Sequence, residues 1–241
     1  MIAVIEYGAG NLGSVVNALT HLGVPHVVTD DRATILAADG VIFPGVGATA
    51  DTMANLRARG LVPVIAEAVE RERPFLGICV GQQVLFSTSD EGARHDCLDV
   101  LRGEVRRFPD DLIVPHMGWN GVRRRHEHPL FAGIPDGAEF YFVHSYYVAP
   151  VDDALVLGET EYGVTFAAAI ARGPLVATQF HPEKSGRWGL QLLHNFAALV
   201  ERGLRIADCG LRNDEGAGHG PRPPRPASPI PQSAIRNPQS S

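Results

Sequence analysis

The segment Pro74-Phe75-Leu76-Gly77-Ile78-Cys79-Val80-Gly81-Gln82-Gln83 decides the reading of this 241-residue chain. An apolar run opened by a proline predicts a buried strand, and Gly-x-Cys-x-Gly ends it in a sharp turn into a helix. Glycine two residues to either side of a nucleophile relieves the crowding of such a turn and leaves the sulfur exposed at the carboxyl end of a sheet. The first amides of the following helix would favour thiolate over thiol and could hold a developing oxyanion. The same letters also describe a buried cysteine packed as a small hydrophobe between turn glycines, and the segment alone leaves both readings open.

The surroundings supply the fold. Residues 2–6 form an apolar run that stops at Tyr7-Gly8-Ala9-Gly10-Asn11, after which Leu12, Val15, Val16, Leu19 and Leu22 recur at helical spacing up to Gly23. Residues 26–29 and 40–43 predict further strands, the second broken by Pro44-Gly45-Val46-Gly47, and residues 61–70 predict a helix with Pro63 in its first turn. Strand and helix therefore alternate, which predicts an α/β fold with a mostly parallel central sheet flanked by helices. Extended runs near 100–108, 138–148, 154–158, 163–171 and 174–179 either lengthen that sheet or make a smaller antiparallel part. A last helix is predicted over about 185–201, with Trp188, Leu192, Leu193, Phe196, Leu199 and Val200 on one side. Beyond it, seven of the 18 prolines crowd into the final 21 residues with few large apolar side chains. Residues 1–204 thus read as one domain and residues 205–241 as a Pro-rich disordered tail.

Charge and cysteine usage narrow the function classes. The formal net charge is −6, and because the tail carries +2 the body carries −8, which argues against a nucleic-acid or membrane-surface role. Arg123-Arg124-Arg125 is the one basic cluster of the body and reads as a solvated loop. No stretch approaches the roughly 18 apolar residues of a membrane span, and the N-terminus reads as a mature first strand rather than a signal peptide. Three unclustered cysteines fit a reducing cytoplasm, the lack of a Cys-x-x-Cys pair argues against a structural zinc, and no metal or cofactor is expected. His126-x-His128 reads as a loop, and His194 as packed or solvent-exposed in the last helix.

A cysteine nucleophile needs a base and an orienting group for that base, and Phe180-His181-Pro182-Glu183 offers both where the run 175–180 ends. In extended chain, positions i and i+2 project to the same side, so Glu183 would reach the His181 ring. His-x-Glu alone could equally be a surface histidine beside a charge. Pro44-Gly45-Val46-Gly47 either turns its amides toward a neighbouring site or is a plain strand-to-helix turn.

Together these motifs resemble the class I, or triad, glutamine amidotransferases. Within that group Glu6-Tyr7-Gly8-Ala9-Gly10-Asn11-Leu12, Pro115-His116-Met117-Gly118-Trp119-Asn120, Tyr141-Phe142-Val143-His144-Ser145-Tyr146-Tyr147 and Lys184-Ser185 are similar to the glutaminase subunits of imidazole glycerol phosphate synthases. The resemblance runs from about residue 1 to 202. It departs at Val80 and Gln82, where the family more often has Leu and Met.

The resemblance implies hydrolysis of glutamine to glutamate and ammonia through a glutamyl thioester. Ammonia would pass to a (β/α)8-barrel cyclase subunit that makes imidazole glycerol phosphate in histidine biosynthesis, the two subunits forming a heterodimer. It also implies roles: Cys79 as nucleophile, His181 as base, Glu183 as its orienter, Gly45, Val46 and Val80 as the oxyanion hole, and Gln83, His144, Ser145 and Tyr146 as holders of the substrate's amino and carboxylate groups. Asn11, Trp119, Tyr141 and Lys184 match positions at or near the cyclase interface, and Gly45 is the expected hinge of a hole assembled when the cyclase is loaded. A glutaminase of another pathway and a stand-alone cysteine γ-glutamyl hydrolase are the rival readings.

Overall fold

The computed structural model describes residues 1–8 and 12–203. The expected tail and Asn11 lie outside the described residues. The central sheet has eight strands in the order His26–Thr29, Ile2–Ile5, Gly40–Gly45, Phe75–Cys79, Leu175–Thr178, Val164–Arg172, Val156–Tyr162 and Arg123–Arg124. The first five run parallel and the last three add antiparallel pairings. Ile2, Ala3, Val4 and Ile5 are all buried, as are all six residues of Gly40–Gly45 and all five of Phe75–Cys79. Continuous apolar runs of this kind belong to strands covered on both faces.

Helices supply the covers. Leu12–His21 buries Val15, Ala18 and Leu19, Val62–Glu70 buries Val64, Ile65 and Ala68, and Gly186–Arg202 buries Leu192, Leu193, Phe196, Leu199 and Val200. The last helix ends at Gly203, whose left-handed backbone (φ +56°) closes the final turn. Both alternatives for the middle of the chain occur. Val156–Tyr162 and Val164–Arg172 lengthen the main sheet, whereas Tyr146–Pro150, Leu101–Arg107, Phe86–Ser89 and His95–Asp96 form a separate four-stranded sheet. That sheet is mixed rather than antiparallel, because Phe86–Ser89 runs parallel to Leu101–Arg107.

Several local expectations need correction. Thr49–Ala58 and Arg32–Ala37 are helical, and His116–Gly121 is a strand paired with Glu139–His144; none of the three is predicted by the apolar pattern. Two of the four buried positions of Thr49–Ala58 are threonines, which removes the apolar stripe that periodicity detects. The Arg123–Arg125 cluster is not a solvated loop. Arg123 and Arg124 form the edge strand, Arg123 pairs with Glu159, and Arg125 makes two 2.7 Å bonds to Asp153. His128 is buried, and its ring nitrogen accepts from the Leu130 amide at 3.1 Å to cap the short turn Pro129–Phe131.

Candidate active site

Three adjacent parallel strands bring the site together, because their carboxyl ends lie on one edge of the sheet. Gly45 stands opposite Cys79, and Ile78 opposite Thr178, so the ends of Gly40–Gly45, Phe75–Cys79 and Leu175–Thr178 are level. Cys79 has φ +55° and ψ −110°, a strained conformation for a residue with a side chain. Such strain at the strand-to-helix bend is the backbone signature of a nucleophile elbow.

The glycines that flank the bend are there for space. A Cβ on Gly77 would lie 2.8 Å from the Gly81 carbonyl oxygen, and one on Gly81 would lie 2.2 Å from the Phe43 carbonyl oxygen. Beyond the bend the helix is a single turn, Val80–Gln83, before Phe86–Ser89 begins. One turn carries little macrodipole, so the expected stabilisation from a full helix gives way to local amides and side chains.

His181 is anchored from several directions. Its amide donates to the Tyr141 carbonyl at 2.9 Å, and the Ser185 hydroxyl donates to the His181 carbonyl at 2.6 Å. The Tyr141 amide donates to the same hydroxyl at 3.0 Å, which ties the turn to Glu139–His144. Gly189 allows the last helix to pack onto this turn, since a Cβ there would meet the Pro182 carbonyl oxygen at 1.8 Å.

Glu183 reaches His181 Nδ1 at 2.8 Å with both side chains 2% exposed. The expected pairing is present, although the chain turns as a 3₁₀ helix over Pro182–Lys184 instead of staying extended. Cys79 and His181 line the same cavity, and the sulfur acts electrostatically on the imidazole. Burial opposes a charged His181, but the Cys79 sulfur and the Glu183 carboxylate outweigh it and hold the ring above its ordinary pKa. A buried sulfur, imidazole and carboxylate in one line form an arrangement that can move a proton off a thiol and return it to a leaving group.

A cavity of about 400 Å³ opens onto this line, within the size range of small-molecule sites. Val46, Val80, Gln83, His144, Ser145 and Tyr146 line it, as expected, together with Gly47, Glu91 and Lys184. Gly45 does not line it. It is packed on the elbow, where a Cβ would lie 2.4 Å from the Gly81 amide nitrogen, so the latitude of this segment sits at Gly47, with φ +89° and nothing within 4 Å of a Cβ.

His144 borders the cavity but has both ring nitrogens committed. Nδ1 bonds to the Tyr146 carbonyl at 2.8 Å and Nε2 to His116 Nδ1 at 3.0 Å, so its ring is a wall rather than a hand for substrate. Of the expected interface residues, Trp119 is 55% exposed and packs edge-on against Tyr141 at 6.1 Å, and Met117 and Ile113 are exposed nearby in sequence. Sequence reasoning missed Gln179, whose amide donates to the Cys79 sulfur at 3.7 Å, and Glu91. Gln179 precedes His181 by two, the same spacing that points to Glu183, and that is the available signal.

Known proteins resemble this chain in sequence and in fold. Residues 3–199 match the glutamine amidotransferase class-I family. A Dehalococcoides mccartyi protein named imidazole glycerol phosphate synthase subunit HisH is 54% identical over 200 residues, covering 83% of this chain and 98% of that one. A Moorella thermoacetica protein of the same name is 58% identical over 199 residues, covering 83% and 95%. Among solved structures, a glutamine amidotransferase superposes with a TM-score of 0.66 at 18% identity, covering 83% of this chain and all of that one. The Thermotoga maritima PurLQS structure gives 0.64 at 19%, covering 83% and 98%; both show the fold alone. The chain belongs to the class-I glutamine amidotransferase family.

Proposed function

We propose that this chain is the glutamine-hydrolysing subunit of an imidazole glycerol phosphate synthase, acting in histidine biosynthesis. The observation that carries the chemistry is the buried line Cys79, His181, Glu183 at the mouth of the cavity. The relatives at 54% and 58% identity carry the pathway.

Cys79 gives its proton to His181 and attacks the side-chain carbonyl carbon of glutamine. His181 returns the proton to the departing nitrogen, which leaves as ammonia, and the γ-glutamyl group remains on sulfur as a thioester. Water, deprotonated by the same imidazole, releases glutamate and restores the thiol. Glu183 fixes the ring tautomer and stabilises the imidazolium. The amides of Val80 and of the 45–46 segment receive the oxyanion, each donor contributing about 100- to 1,000-fold in rate. Gln83 spends both amide hydrogens within the protein, on the Tyr146 carbonyl and Gln179 Oε1, which leaves its Oε1 to accept from the substrate ammonium. Ser145 and the 146 backbone take the substrate carboxylate.

The partner is a (β/α)8-barrel cyclase subunit that consumes the ammonia, docked over the exposed Trp119 and Met117 beside Tyr141 and Lys184. The three unclustered cysteines suit a cytoplasmic enzyme, and no described helix is long and apolar enough to cross a membrane. Co-expression with a cyclase subunit tests the reading. The complex should turn over with glutamine or with ammonium, and Cys79→Ala should abolish the first and keep the second. Glutamine-dependent turnover in that variant would refute it.

A further inference from the structure

A continuous hydrogen-bonded chain runs from the strand that bears Trp119 to the nucleophile. Asn120 Nδ2 lies 3.3 Å from His116 Nε2, His116 Nδ1 lies 3.0 Å from His144 Nε2, and His144 Nδ1 lies 2.8 Å from the Tyr146 carbonyl. On the far side of that carbonyl Gln83 Nε2 approaches it at 2.9 Å and also meets Gln179 Oε1 at 3.0 Å. Gln179 Nε2 then lies 3.7 Å from the Cys79 sulfur, a donor distance normal for so large an acceptor. His116, His144, Gln83 and Gln179 are all buried, and Gln179 is fully so.

The polarity of this chain has one solution. A backbone carbonyl can only accept, so the Tyr146 oxygen requires a proton on His144 Nδ1 and the amino end of Gln83. His144 Nε2 must then accept, His116 Nδ1 must donate, and His116 Nε2 must accept from Asn120. Two further backbone groups fix the outer end, since Asn120 donates to the Glu161 carbonyl at 3.0 Å and accepts from the Gly121 amide at 2.8 Å. On the inner side Gln83 gives its second hydrogen to Gln179 Oε1, which leaves only the amino group of Gln179 to face Cys79. Burial keeps His116 and His144 neutral, at pKa values of about 4 and about 3, as this alternation of donors and acceptors requires.

We propose that Gln179 is a positioning residue for the nucleophile, its amide N–H held on the Cys79 sulfur by the Gln83–Tyr146 hub so that the thiolate is favoured and aimed. The proposal rests on the reading of Cys79 as nucleophile. A donor that bonds better to sulfur when it is charged lowers the thiol pKa, whereas a side chain that merely filled space would leave it unchanged.

The test is the pH dependence of Cys79 alkylation by iodoacetamide, followed by mass spectrometry of the Cys79 peptide in the full-length protein. Gln179→Met removes the donor to sulfur and the acceptor for Gln83 and keeps the shape. Gln179→Glu keeps the acceptor for Gln83 and replaces the donor by a carboxylate, so it also covers the case in which the methionine variant fails to fold. The alkylation midpoint should rise by about one pH unit in Gln179→Met, equivalent to about tenfold in the thiolate equilibrium, and by more in Gln179→Glu. In the cyclase complex kcat with glutamine should fall while KM changes little in Gln179→Glu, the variant that keeps the acceptor for Gln83. Wild-type midpoints in both folded variants would overturn the inference and leave the triad standing. Glutamine-dependent turnover surviving in Cys79→Ala is the separate result that would remove the triad and this inference with it.

Discussion

Gly45 lies directly opposite Cys79 in the parallel pairing of their strands, and a methyl group on Gly45 would come within 2.4 Å of the Gly81 amide nitrogen. The proposed oxyanion segment and the elbow are therefore set against each other through backbone and the Val80 Cβ, none of which is the far end of a flexible side chain.

Gly45→Ala should for that reason damage catalysis more than folding. Pushing the two backbones apart misplaces the donors relative to the sulfur, and displacement of about 1 Å can cost about 100-fold in rate. Overpacking should cost about 1–3 kcal/mol. Steady-state glutaminase assays of the complex, with a urea melt of the same sample, check this; a kcat equal to wild type would show that the contact is not constraining.

Gln82 makes a different case. It is fully buried in the turn after the nucleophile, and neither its Oε1 nor its Nε2 has a protein hydrogen-bond partner. It stands where the resemblance leads one to expect methionine. An unsatisfied buried amide costs about 1–3 kcal/mol, so Gln82→Met should raise stability by that amount and Tm by about 2–4 °C per kcal/mol. Calorimetry decides it, and a lower Tm would mean that the amide is satisfied in solution.

Much of the site is legible in the amino-acid sequence alone. The elbow, the turn after Phe43 and the pairing of His181 with Glu183 are readable because each is local and carries its own backbone or spacing signal. Gln179 is harder to read, since its only local signal is the two-residue spacing from His181, and its role emerges only when Cys79, 100 positions away, is beside it. The pairing of His116 with His144 is hidden for the same reason. The alternation of buried Phe140, Phe142 and His144 nonetheless places that ring on the inner face. The helix Thr49–Ala58 escapes because threonines hold part of its buried side.

Buried histidines set the acid limit of the fold. Burial holds His116 and His128 at about 4 and His144 at about 3, below the ordinary value of 6.5. Their folded pKa values are depressed, so above pH 6.5 neither state is protonated and stability is unaffected. As pH falls from about 6.5 toward 4 the unfolded chain takes up protons first and stability is lost, by about 3 kcal/mol for a shift the size of that at His128. His128→Asn, which can still cap the turn at Pro129–Phe131, should flatten that decline in urea titrations between pH 7.5 and 4.5. An unchanged acid slope would show that His128 already titrates normally.

The central claim is that the Cys79 sulfur is the atom that attacks glutamine. Treating the cyclase complex with a diazo-ketone analogue of glutamine and mapping the adduct by peptide mass spectrometry measures this directly. A single adduct on Cys79, formed in step with loss of glutamine-dependent turnover and blocked by excess glutamine, is the predicted result. Inactivation with Cys79 unmodified would contradict it.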